Sequence, residues 1–391
     1  MNSLSSNSSS GASSGSSSGP STIGSRLAIL SALLLLLLCL RPWPAAQAQT
    51  AGGASAWRIM EYNVENLFDT LHTAPFADSE FTPQGSHQWG SRRYWAKLSR
   101  LSRVIAAASA DQPPACVALV EVENDSVVSH LIRRTRLWRT GYRSIVTHSR
   151  DARGINVALI FQPALFRPVS HDSLRVPPTD EGLSFTRDVL HVAGQIQSGD
   201  TLDLWVCHWP SRRNGARSER YRNRVAALLR AHIDSVLLSR RHPMAIVTGD
   251  FNAFWPELSI SVHLGARLPE PSPQPRQLYL LSHAMQASGG ISGTYKFQGE
   301  WNQLDNFLVS GSLLSASPSL DSSSPSLDSA LPLAESAFRT SAARCRIVDF
   351  PFLLQGIGSE AGPRPFRTYL GPHYQGGFSD HLPLVLDFLA E

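Results

Sequence analysis

The sequence contains almost no lysine. Of its 35 basic residues only Lys97 and Lys296 are lysines, and all the others are arginines. With a formal net charge of +4 and a pI near 9.0, the arginine excess favours an anionic partner. A high arginine content can equally reflect the base composition of a genome, so charge alone does not identify that partner.

Cysteine is also scarce, with four in the chain. Apart from Cys39 in an N-terminal apolar run, they are Cys116, Cys207 and Cys345. An odd number without CxxC spacing argues against a disulfide framework or a zinc knuckle. Cys116 in "ACVALVEV" and Cys207 in "LDLWVCHW" lie in strand-like sequence, which predicts buried thiols. The sequence leaves open whether two of the three are paired.

The apolar run near the N-terminus is too short for a membrane span. "LAILSALLLLLLCL" follows a Ser/Gly-rich tract and Arg26, and Ala46-Gln47-Ala48 fits the small-x-small cleavage rule. We predict that residues 1–48 are a signal peptide with a Ser/Gly-rich n-region and that the protein is exported, to the periplasm or outside the cell. An uncleaved anchor is the alternative, whereas acylation at Cys39 is disfavoured because Leu38 is not small.

Residues 49–391 read as one α/β domain. Short apolar strands alternate with two amphipathic helical patterns, without a strict βαβ rhythm, which indicates a layered α/β sandwich. One segment, at about 311–341, is rich in Ser and Pro and contains "SPSLDS" twice. We interpret it as a low-complexity surface insertion.

Polar side chains recur where the predicted strands end or begin. They are Asn63 and Glu65, Glu121 and Glu123, His208, Asp250 and Asn252, Asp305, and Asp380 with His381. Rigid strands position reactive groups well at such places. Carboxylate, amide and imidazole groups without thiolates suit a hard cation such as Mg²⁺ or Mn²⁺. A metal, a base and cationic donors are what phosphoryl transfer to water requires.

These motifs resemble, in order, those of the endonuclease/exonuclease/phosphatase superfamily, which includes deoxyribonuclease I. The matching segments are "YNVENL", "ALVEVEN", "CHWPSRR", "TGDFNA", "QLDNFLVS" and "FSDHLP". The resemblance implies a deoxyribonuclease I-like α/β (α+β) fold, a four-layer α/β/β/α sandwich with its site at one edge of the two sheets. It also implies a metal-dependent phosphoesterase that acts on nucleic acid or another phosphodiester, and we expect a monomer.

The resemblance carries over position by position. It implies metal contacts by Asn63, Glu121 and Asp380, with Glu121 as the principal ligand. His381 would hold the scissile phosphate, and Asp305 would orient its imidazole. Asp250 would position or deprotonate the attacking water, Asn252 would hold a phosphate oxygen, and His208 would contact the phosphate or leaving group. The identity of the general base varies within the family and stays open here.

Some positions fit the pattern less closely. Glu65 stands where some members have a second metal-binding acid, and it could contribute or face solvent. Strand alternation places Glu123 on the same face as Glu121, as the weaker candidate ligand. Arg153, Arg212 and Arg213 are candidate phosphate-binding residues, although a solvated basic loop would explain Arg212 and Arg213 equally well. Arg364 and Arg367 could reach the cleft, or could serve only as caps.

The sequence therefore predicts an exported, divalent-metal-dependent phosphodiesterase, and a nuclease in particular. A lipid or sugar phosphoesterase is the alternative. It would need an exposed apolar loop; Phe251, Phe254 and Trp255 are a candidate, but we expect them to pack beside the site. A non-catalytic binding protein on the same fold is a more remote alternative, because none of the central residues is missing.

Overall fold

The structure is a computed structural model that describes residues 55–109, 112–178, 185–283, 285–314, 338–359 and 361–390. The predicted signal peptide and most of the predicted insertion lie outside the described residues. The two ends of that Ser/Pro-rich segment are described, and they are structured. Residues 311–313 form a 3₁₀ turn, Leu314 pairs with Thr340, and Arg339 pairs with Leu389 of the last strand.

The first large sheet contains both ends of the described chain. Its central pair, β1 and β2, is parallel, and the other pairs are antiparallel. Almost every side chain in β2 and β4 is buried, as expected for strands covered on both faces. The strands, in spatial order, are β13 (Cys345–Ile347), β18 (Leu384–Ala390), β1 (Ser55–Leu67), β2 (Cys116–Val122), β4 (Asn156–Phe161) and β3 (Arg143–Val146).

The second large sheet repeats this plan. Its central pair, β7 and β8, is parallel, and antiparallel strands flank it. The strands, in spatial order, are β5 (Arg167–Leu174), β6 (Val189–Gln195), β7 (Thr201–His208), β8 (Met244–Asp250), β12 (Asp305–Ser310) and β9 (Leu278–Leu280). Strands β1 and β2 of the first sheet face β7 and β8 of the second, so the inner faces of both sheets form a shared apolar core.

Helices cover the two outer faces. Helix α1 (Ser91–Ala107) and helix α2 (Asp125–Arg133) bury their apolar stripes in the same core as the first sheet. Helix α3 (Ala216–Leu238) packs Val225, Leu229, Ile233 and Leu237, spaced four apart, on the second sheet. The order α, β, β, α is the four-layer sandwich that the sequence predicts.

Short elements complete the described chain. Three small hairpins pair β10 (Tyr295–Phe297) with β11 (Glu300–Asn302), β14 (Leu354–Gln355) with β15 (Arg364–Pro365), and β16 (Tyr369–Leu370) with β17 (His373–Tyr374). A single π-helical turn spans Ser259–His263. The 3₁₀ turns are Ser79–Phe81, Arg136–Thr140, Arg212–Asn214, Ser288–Gly290, Gly311–Leu313, Ala342–Arg344 and Pro351–Leu353.

The thiols of Cys116 and Cys207 are buried, as the strand patterns predict, and that of Cys345 is buried too. Cys116, Cys207 and Cys345 are free, and burial raises the pKa of each thiol above its usual value. No helix within the described ranges is both long and apolar enough to cross a membrane.

Candidate active site

The polar strand ends meet at one edge of the two sheets. Strand β12 runs antiparallel to β8, so Asp305 at its start lies beside Asp250 at the end of β8. Strand β7 runs parallel to β8, and its last residue, His208, pairs with Asp250 from the other side. The start of β18 similarly meets β1, because these two strands are antiparallel. The topology therefore collects groups from distant parts of the sequence.

Three contacts join the two sheets at this edge. Asn63 Nδ2 of the first sheet donates to Asp250 Oδ2 of the second at 3.2 Å. His381 Nδ1, from the first sheet's side, lies 2.6 Å from Asp305 Oδ2. His208 Nε2 lies 3.7 Å from Glu121 Oε1. The two sheets therefore contact each other through polar side chains at this edge, whereas the core between them is apolar.

The backbone is distorted where the acids must face the cavity. A register shift interrupts the pairing of β1 and β2 beyond Asn63, and another occurs around Glu121 in the pairing of β2 and β4. Glu121 has φ +68°, a region that non-glycine residues adopt only at a cost of order 1–3 kcal/mol. The bulge breaks strand alternation, so Glu123 does not line the cavity with Glu121. The Glu123 carboxylate instead accepts the Asp69 N–H at 2.6 Å.

His381 is held by an acid and an aromatic ring. Asp305 Oδ2 also accepts from Thr294 Oγ1 at 2.5 Å, and the Tyr295 ring lies 4.8 Å from the imidazole ring. Burial alone would lower the pKa of His381. The charges of Asp305, Asp250 and Asp380 outweigh burial and raise that pKa well above its usual value. With Nδ1 engaged by Asp305, Nε2 is the nitrogen available to a ligand in the cavity.

Asp250 is buried, and its surroundings hold it in place. Its Oδ1 accepts the Asn252 N–H at 2.8 Å, and its Oδ2 accepts from the side-chain amides of Asn63 and Asn252, both at 3.2 Å. Burial, followed by the charge of Asp305, raises the pKa of Asp250 to about 7, although His381 opposes the shift. A carboxylate with a pKa near neutrality suits a general base.

His208 lies opposite and stays neutral. Burial and the neighbouring cations Arg187 and Arg153 lower its pKa well below the usual value. Its Nε2 lies 3.7 Å from both Glu121 Oε1 and Asp250 Oδ2, and its Nδ1 has no hydrogen-bond partner among the described residues. The two site histidines therefore differ in charge at neutral pH.

A cavity of about 540 Å³ opens over these groups. Four arginines line it: Arg153, Arg187, Arg212 and Arg213. Of these, Arg153, Arg212 and Arg213 were predicted from the sequence, and the structure brings all three to the cavity wall. Arg212 Nη1 also donates to the Asn252 carbonyl at 3.2 Å, and its guanidinium lies 5.0 Å from the centre of the Phe254 ring.

Arg187 is a site residue that the sequence motifs do not reveal. It is buried, with Nη2 donating to the Trp209 carbonyl at 2.6 Å and Nη1 lying 3.3 Å from Asp151 Oδ2. Burial lowers its pKa from the usual value, but arginine remains charged. "FTRDVL" gives no signal in a chain this rich in arginine. Only the pairing of β6 with β7 brings Arg187 to the cavity.

The predicted metal-binding residues offer oxygen donors of uneven availability. Glu121 lines the cavity and has one oxygen engaged, because Oε2 accepts the Asn66 N–H at 2.9 Å. Asp380 also lines the cavity, and its Oδ2 accepts from Arg367 Nη2 at 2.7 Å. Asn63 lies behind Asp250, and its Oδ1 accepts the Glu65 N–H at 3.0 Å. Glu121 and Asp380 therefore keep oxygens that fit a hard divalent cation.

A second possible donor set lies beside the first, because Asn63 contacts Asp250. Asp250, Asp305 and His381 each bring one ligand atom to within 4.8 Å of the others. Acidic and imidazole groups able to hold a divalent metal are thus present on both sides of the cavity.

Glu65 is neither a free ligand nor a surface acid. Its carboxylate accepts the N–H groups of Thr368 and Tyr369 at 2.5 and 3.3 Å, and Lys97 Nζ lies 3.9 Å from it. Lys97 is fully buried and donates to Thr368 Oγ1 and to the Phe378 carbonyl, both at 2.5 Å. The pair anchors the segment that leads to Asp380.

Glu61 is a buried acid that we did not identify from the motifs. Both its oxygens, like Asp305 Oδ1, lack a hydrogen-bond partner among the described groups. Burial and the Asp305 charge raise the pKa of Glu61 well above its usual value. Strand alternation could have found it, because Ile59, Glu61 and Asn63 share one face of β1.

Another histidine and acid group lies outside this site. Asp172, His191 and His232 bring ligand atoms within 4.8 Å of one another. Trp205 Nε1, however, donates to His232 Nδ1 at 3.1 Å, so the neutral imidazole carries its proton on Nε2, which faces Asp172 at 3.6 Å. A nitrogen that carries a proton cannot bind a metal. We therefore interpret the group as a set of structural contacts that join β5, β6 and α3.

The aromatic residues beside the site are packed rather than projecting. Phe251 is buried and stacks on Trp209 with ring centres 4.4 Å apart, and Phe254 lies under the Arg212 guanidinium. Trp255 is half-buried beside His283. The three residues do not form an exposed apolar loop of the kind that a lipid phosphoesterase would need.

Comparison with known proteins gives a consistent picture. A model of the Endonuclease/Exonuclease/phosphatase family matches residues 58–390. No curated protein matches the chain by sequence.

Solved structures share the fold at low sequence identity. A Bacteroides thetaiotaomicron protein of the same family is 14% identical, with a TM-score of 0.50, over 87% of this chain and 96% of that one. Truncated Caenorhabditis elegans TDP2 is 14% identical, with a TM-score of 0.50, over 86% and 98%. A mannosyl-6-phosphatase from Bacteroides thetaiotaomicron is 15% identical, with a TM-score of 0.50, over 85% and 99%. At these identities the likeness shows the fold alone.

Proposed function

The chain belongs to the endonuclease/exonuclease/phosphatase family of phosphoester hydrolases, and from this premise we propose that it is an exported, divalent-metal-dependent phosphodiesterase that cleaves nucleic acid. One observation carries the proposal. A single cavity combines the Asp305–His381 pair, the carboxylate of Asp250 and four arginine side chains. Such a set binds a phosphodiester by its charge and supplies a base for water.

The phosphate would be held mainly by cations. His381 Nε2 would donate to a non-bridging oxygen, because Asp305 keeps the imidazolium charged and correctly oriented. Arg187 is fixed by the Trp209 carbonyl and Asp151, so its charge is already in place before the substrate binds. Arg153, Arg212 and Arg213 are more exposed and would hold the flanking parts of the substrate.

Asp250 would act as the general base. Its carboxylate is fixed by Asn63 and Asn252 and has a pKa of about 7, so it can take a proton from water at neutral pH. Asn252 Nδ2 also donates to the Trp209 carbonyl at 3.1 Å, which keeps the amide beside the cavity. Neutral His208 would donate a hydrogen bond to a phosphate or leaving-group oxygen.

Glu121 and Asp380, with Asn63 behind them, would hold Mg²⁺ or Mn²⁺. Their donors are oxygens, and the three described thiols are buried in strands β2, β7 and β13, away from the cavity lining. When bound, the cation would neutralise charge on the reacting phosphate. The backbone strain at Glu121 is consistent with this role, because it directs the carboxylate into the cavity.

A substrate panel with the protein from residue 49 onward tests the proposal. The panel contains single- and double-stranded DNA, RNA, bis(p-nitrophenyl) phosphate, a sugar phosphate and sphingomyelin, each with chelator or with Mg²⁺ or Mn²⁺. We expect metal-dependent cleavage of nucleic acid, and loss of roughly a thousandfold or more in kcat for His381→Ala with an unchanged circular dichroism spectrum.

His171→Ala is the matched control, because His171 is exposed on β5 and does not line the cavity. If no phosphoester is cleaved with any metal, the proposal fails. If only the sugar phosphate or the lipid is cleaved, the phosphoesterase chemistry stands and the nucleic-acid assignment is wrong.

A further inference from the structure

A second cavity adjoins the catalytic one. It has a volume of about 350 Å³ and shares Tyr295, Phe297 and Asp380 with the catalytic cavity. The β10–β11 hairpin forms one wall, and the segment between Gln355 and Gln375 forms the other. A substrate that fills the catalytic cavity can therefore continue past these three shared residues.

The second cavity is cationic. Lys296, Arg364 and Arg367 line it against one acid, Asp380, which leaves a net charge of +2 (three cations minus one anion). Two of the cations are already engaged. Lys296 Nζ donates to the carbonyls of Ala361 and Pro363, both at 2.9 Å, and Arg367 bonds Asp380. Arg364 is exposed and forms no ion pair within the part of the chain that the structure describes, so its guanidinium is available to an anion.

The lip between the two cavities carries an exposed aromatic ring. Phe297 is 56% exposed, although most of the chain's large apolar side chains are buried. A tight two-residue turn, Gln298-Gly299 with φ of +50° and +91°, presents it at the tip of the hairpin. Tyr295 in the same hairpin pairs with His381, which fixes the hairpin relative to the catalytic residues.

We propose that the second cavity binds the nucleotide next to the scissile phosphodiester of a single strand, with its phosphate at Arg364 and its base on the Phe297 ring. An aromatic platform beside a cationic groove is the arrangement by which proteins hold single-stranded nucleic acid. A duplex keeps its bases stacked on one another, so this site favours single strands or frayed ends. The inference rests on the proposed function and specifies its substrate class.

The test compares one long and one short phosphodiester with the metal-loaded protein. The long substrates are single-stranded oligothymidylate and oligouridylate, which separate DNA from RNA. The short one is bis(p-nitrophenyl) phosphate, which has no neighbouring nucleotide. We expect Phe297→Ala and Arg364→Ala each to lower kcat/KM on an oligonucleotide by on the order of tenfold. Hydrolysis of bis(p-nitrophenyl) phosphate by Arg364→Ala should stay within twofold of the parent protein, because Arg364 lines only the second cavity.

A salt titration separates the two contacts. Arg364→Ala should reduce the slope of log affinity against log salt by about 0.7, because one phosphate contact is lost. Phe297→Ala should leave the slope unchanged. Trp138→Ala and Arg143→Ala are the matched controls, since both residues are exposed and line neither cavity.

Equal losses on both kinds of substrate for Arg364→Ala, or no loss on the oligonucleotides for either variant, would overturn the inference. Cleavage of bis(p-nitrophenyl) phosphate without cleavage of oligonucleotides would overturn it while leaving a phosphodiesterase. Binding of the oligonucleotides to the His381→Ala protein, measured by fluorescence anisotropy, gives a readout that does not depend on turnover. If Phe297→Ala weakens this binding although the parent protein itself cleaves no phosphoester, the site stands and the proposed function fails.

Discussion

At the scale of single residues, the charge of His381 depends on its neighbours. Asp305 is fully buried, lies 2.6 Å from the imidazole, and is the leading cause that raises the pKa of His381 against the effect of burial. A cationic His381 binds phosphate, so its contribution to activity is lost as pH rises through its pKa, whereas protonation of Asp250 limits activity on the acid side.

Asp305→Asn should therefore move the alkaline limb of activity to lower pH. The variant removes the main charge that raises the pKa of His381, and we also expect kcat to fall at least about tenfold because the imidazole loses its orientation. The measurement is kcat/KM against pH for the parent protein, for Asp305→Asn and for Asp234→Asn, a control on the exposed side of α3. An alkaline limb that stays in place would show that another group sets it.

At the scale of elements, the join between β7 and β8 depends on one glycine. Gly249 has φ +134°, and a Cβ there would lie 2.0 Å from the Cys207 carbonyl oxygen of the neighbouring strand. The next residue is Asp250, so a displaced strand would also displace the proposed base. "TGDFNA" contains this glycine for a steric reason that is independent of catalysis.

Gly249→Ala should lower the free energy of unfolding by about 3 kcal/mol, because backbone strain and a clash with main-chain atoms add together. Gly199→Ala is the control. Gly199 also has a positive φ, +87°, but no atom lies near its missing Cβ, so the cost should be about 1 kcal/mol. Urea unfolding of the three proteins measures the difference. Equal costs for the two variants would mean that β7 and β8 separate easily.

The two lysines connect other elements to the same segment. Lys97 on α1 binds Thr368 and Phe378, and Lys296 on β10 binds Ala361 and Pro363. The two lysines differ in exposure: Lys97 is fully buried, whereas Lys296 is partly exposed. The segment between residues 361 and 378 is therefore held from two sides before it delivers Asp380 and His381.

Lys97→Met should destabilise the protein by roughly 3 kcal/mol, because it leaves buried Glu65 with Arg367 as its cation and removes the hydrogen bonds to Thr368 and Phe378. Lys296→Met should cost only about 1 kcal/mol, because water can replace the lost hydrogen bonds. Urea unfolding monitored by tryptophan fluorescence tests both. A larger effect at Lys296 would contradict the assignment of the buried lysine as the main anchor.

At the scale of the whole molecule, both sheets have a parallel central pair. The carboxyl ends of β1 and β2 meet those of β7 and β8 at one edge, and the antiparallel strands β12 and β18 begin there. This arrangement explains how one sandwich collects site residues from position 63 to position 381. It also places the Asn63–Asp250 and His381–Asp305 contacts between the two sheets at that edge.

Export is a prediction at the same scale. If residues 1–48 are a signal peptide, the exported protein begins at Gln49. Expression of the full chain in a bacterial host, followed by cell fractionation and N-terminal sequencing of the extracytoplasmic protein, checks this. Substitution of Ala46 and Ala48 by bulky residues should block the cleavage. A protein that keeps its N-terminal segment would support the alternative of an uncleaved anchor.

Much of the site can be predicted from the sequence because strands end in polar residues. Polar residues at the ends of apolar runs, together with the resemblance to the family motifs, indicate Asn63, Glu121, His208, Asp250, Asp305 and His381. Strand β5 is not predicted, because its side chains are largely exposed and give no apolar pattern. Arg187 is not predicted as a site residue, because arginine is common in this chain. The function of Glu65 escapes because its partners, Lys97 and Thr368, are far away in the sequence.

The sequence by itself determined the family, the layered α/β class and most of the polar residues at the site, because these depend on local periodicity and on motifs a few residues long. Only the tertiary structure decided which acids face the cavity. A bulge turns Glu121 into it and Glu123 away from it, and a buried lysine holds Glu65 outside it. The pKa values of Asp250 and His381 were likewise set by burial and by the charge of Asp305, which lies on a neighbouring strand for Asp250 and in the opposite sheet for His381, and no local pattern encodes either position.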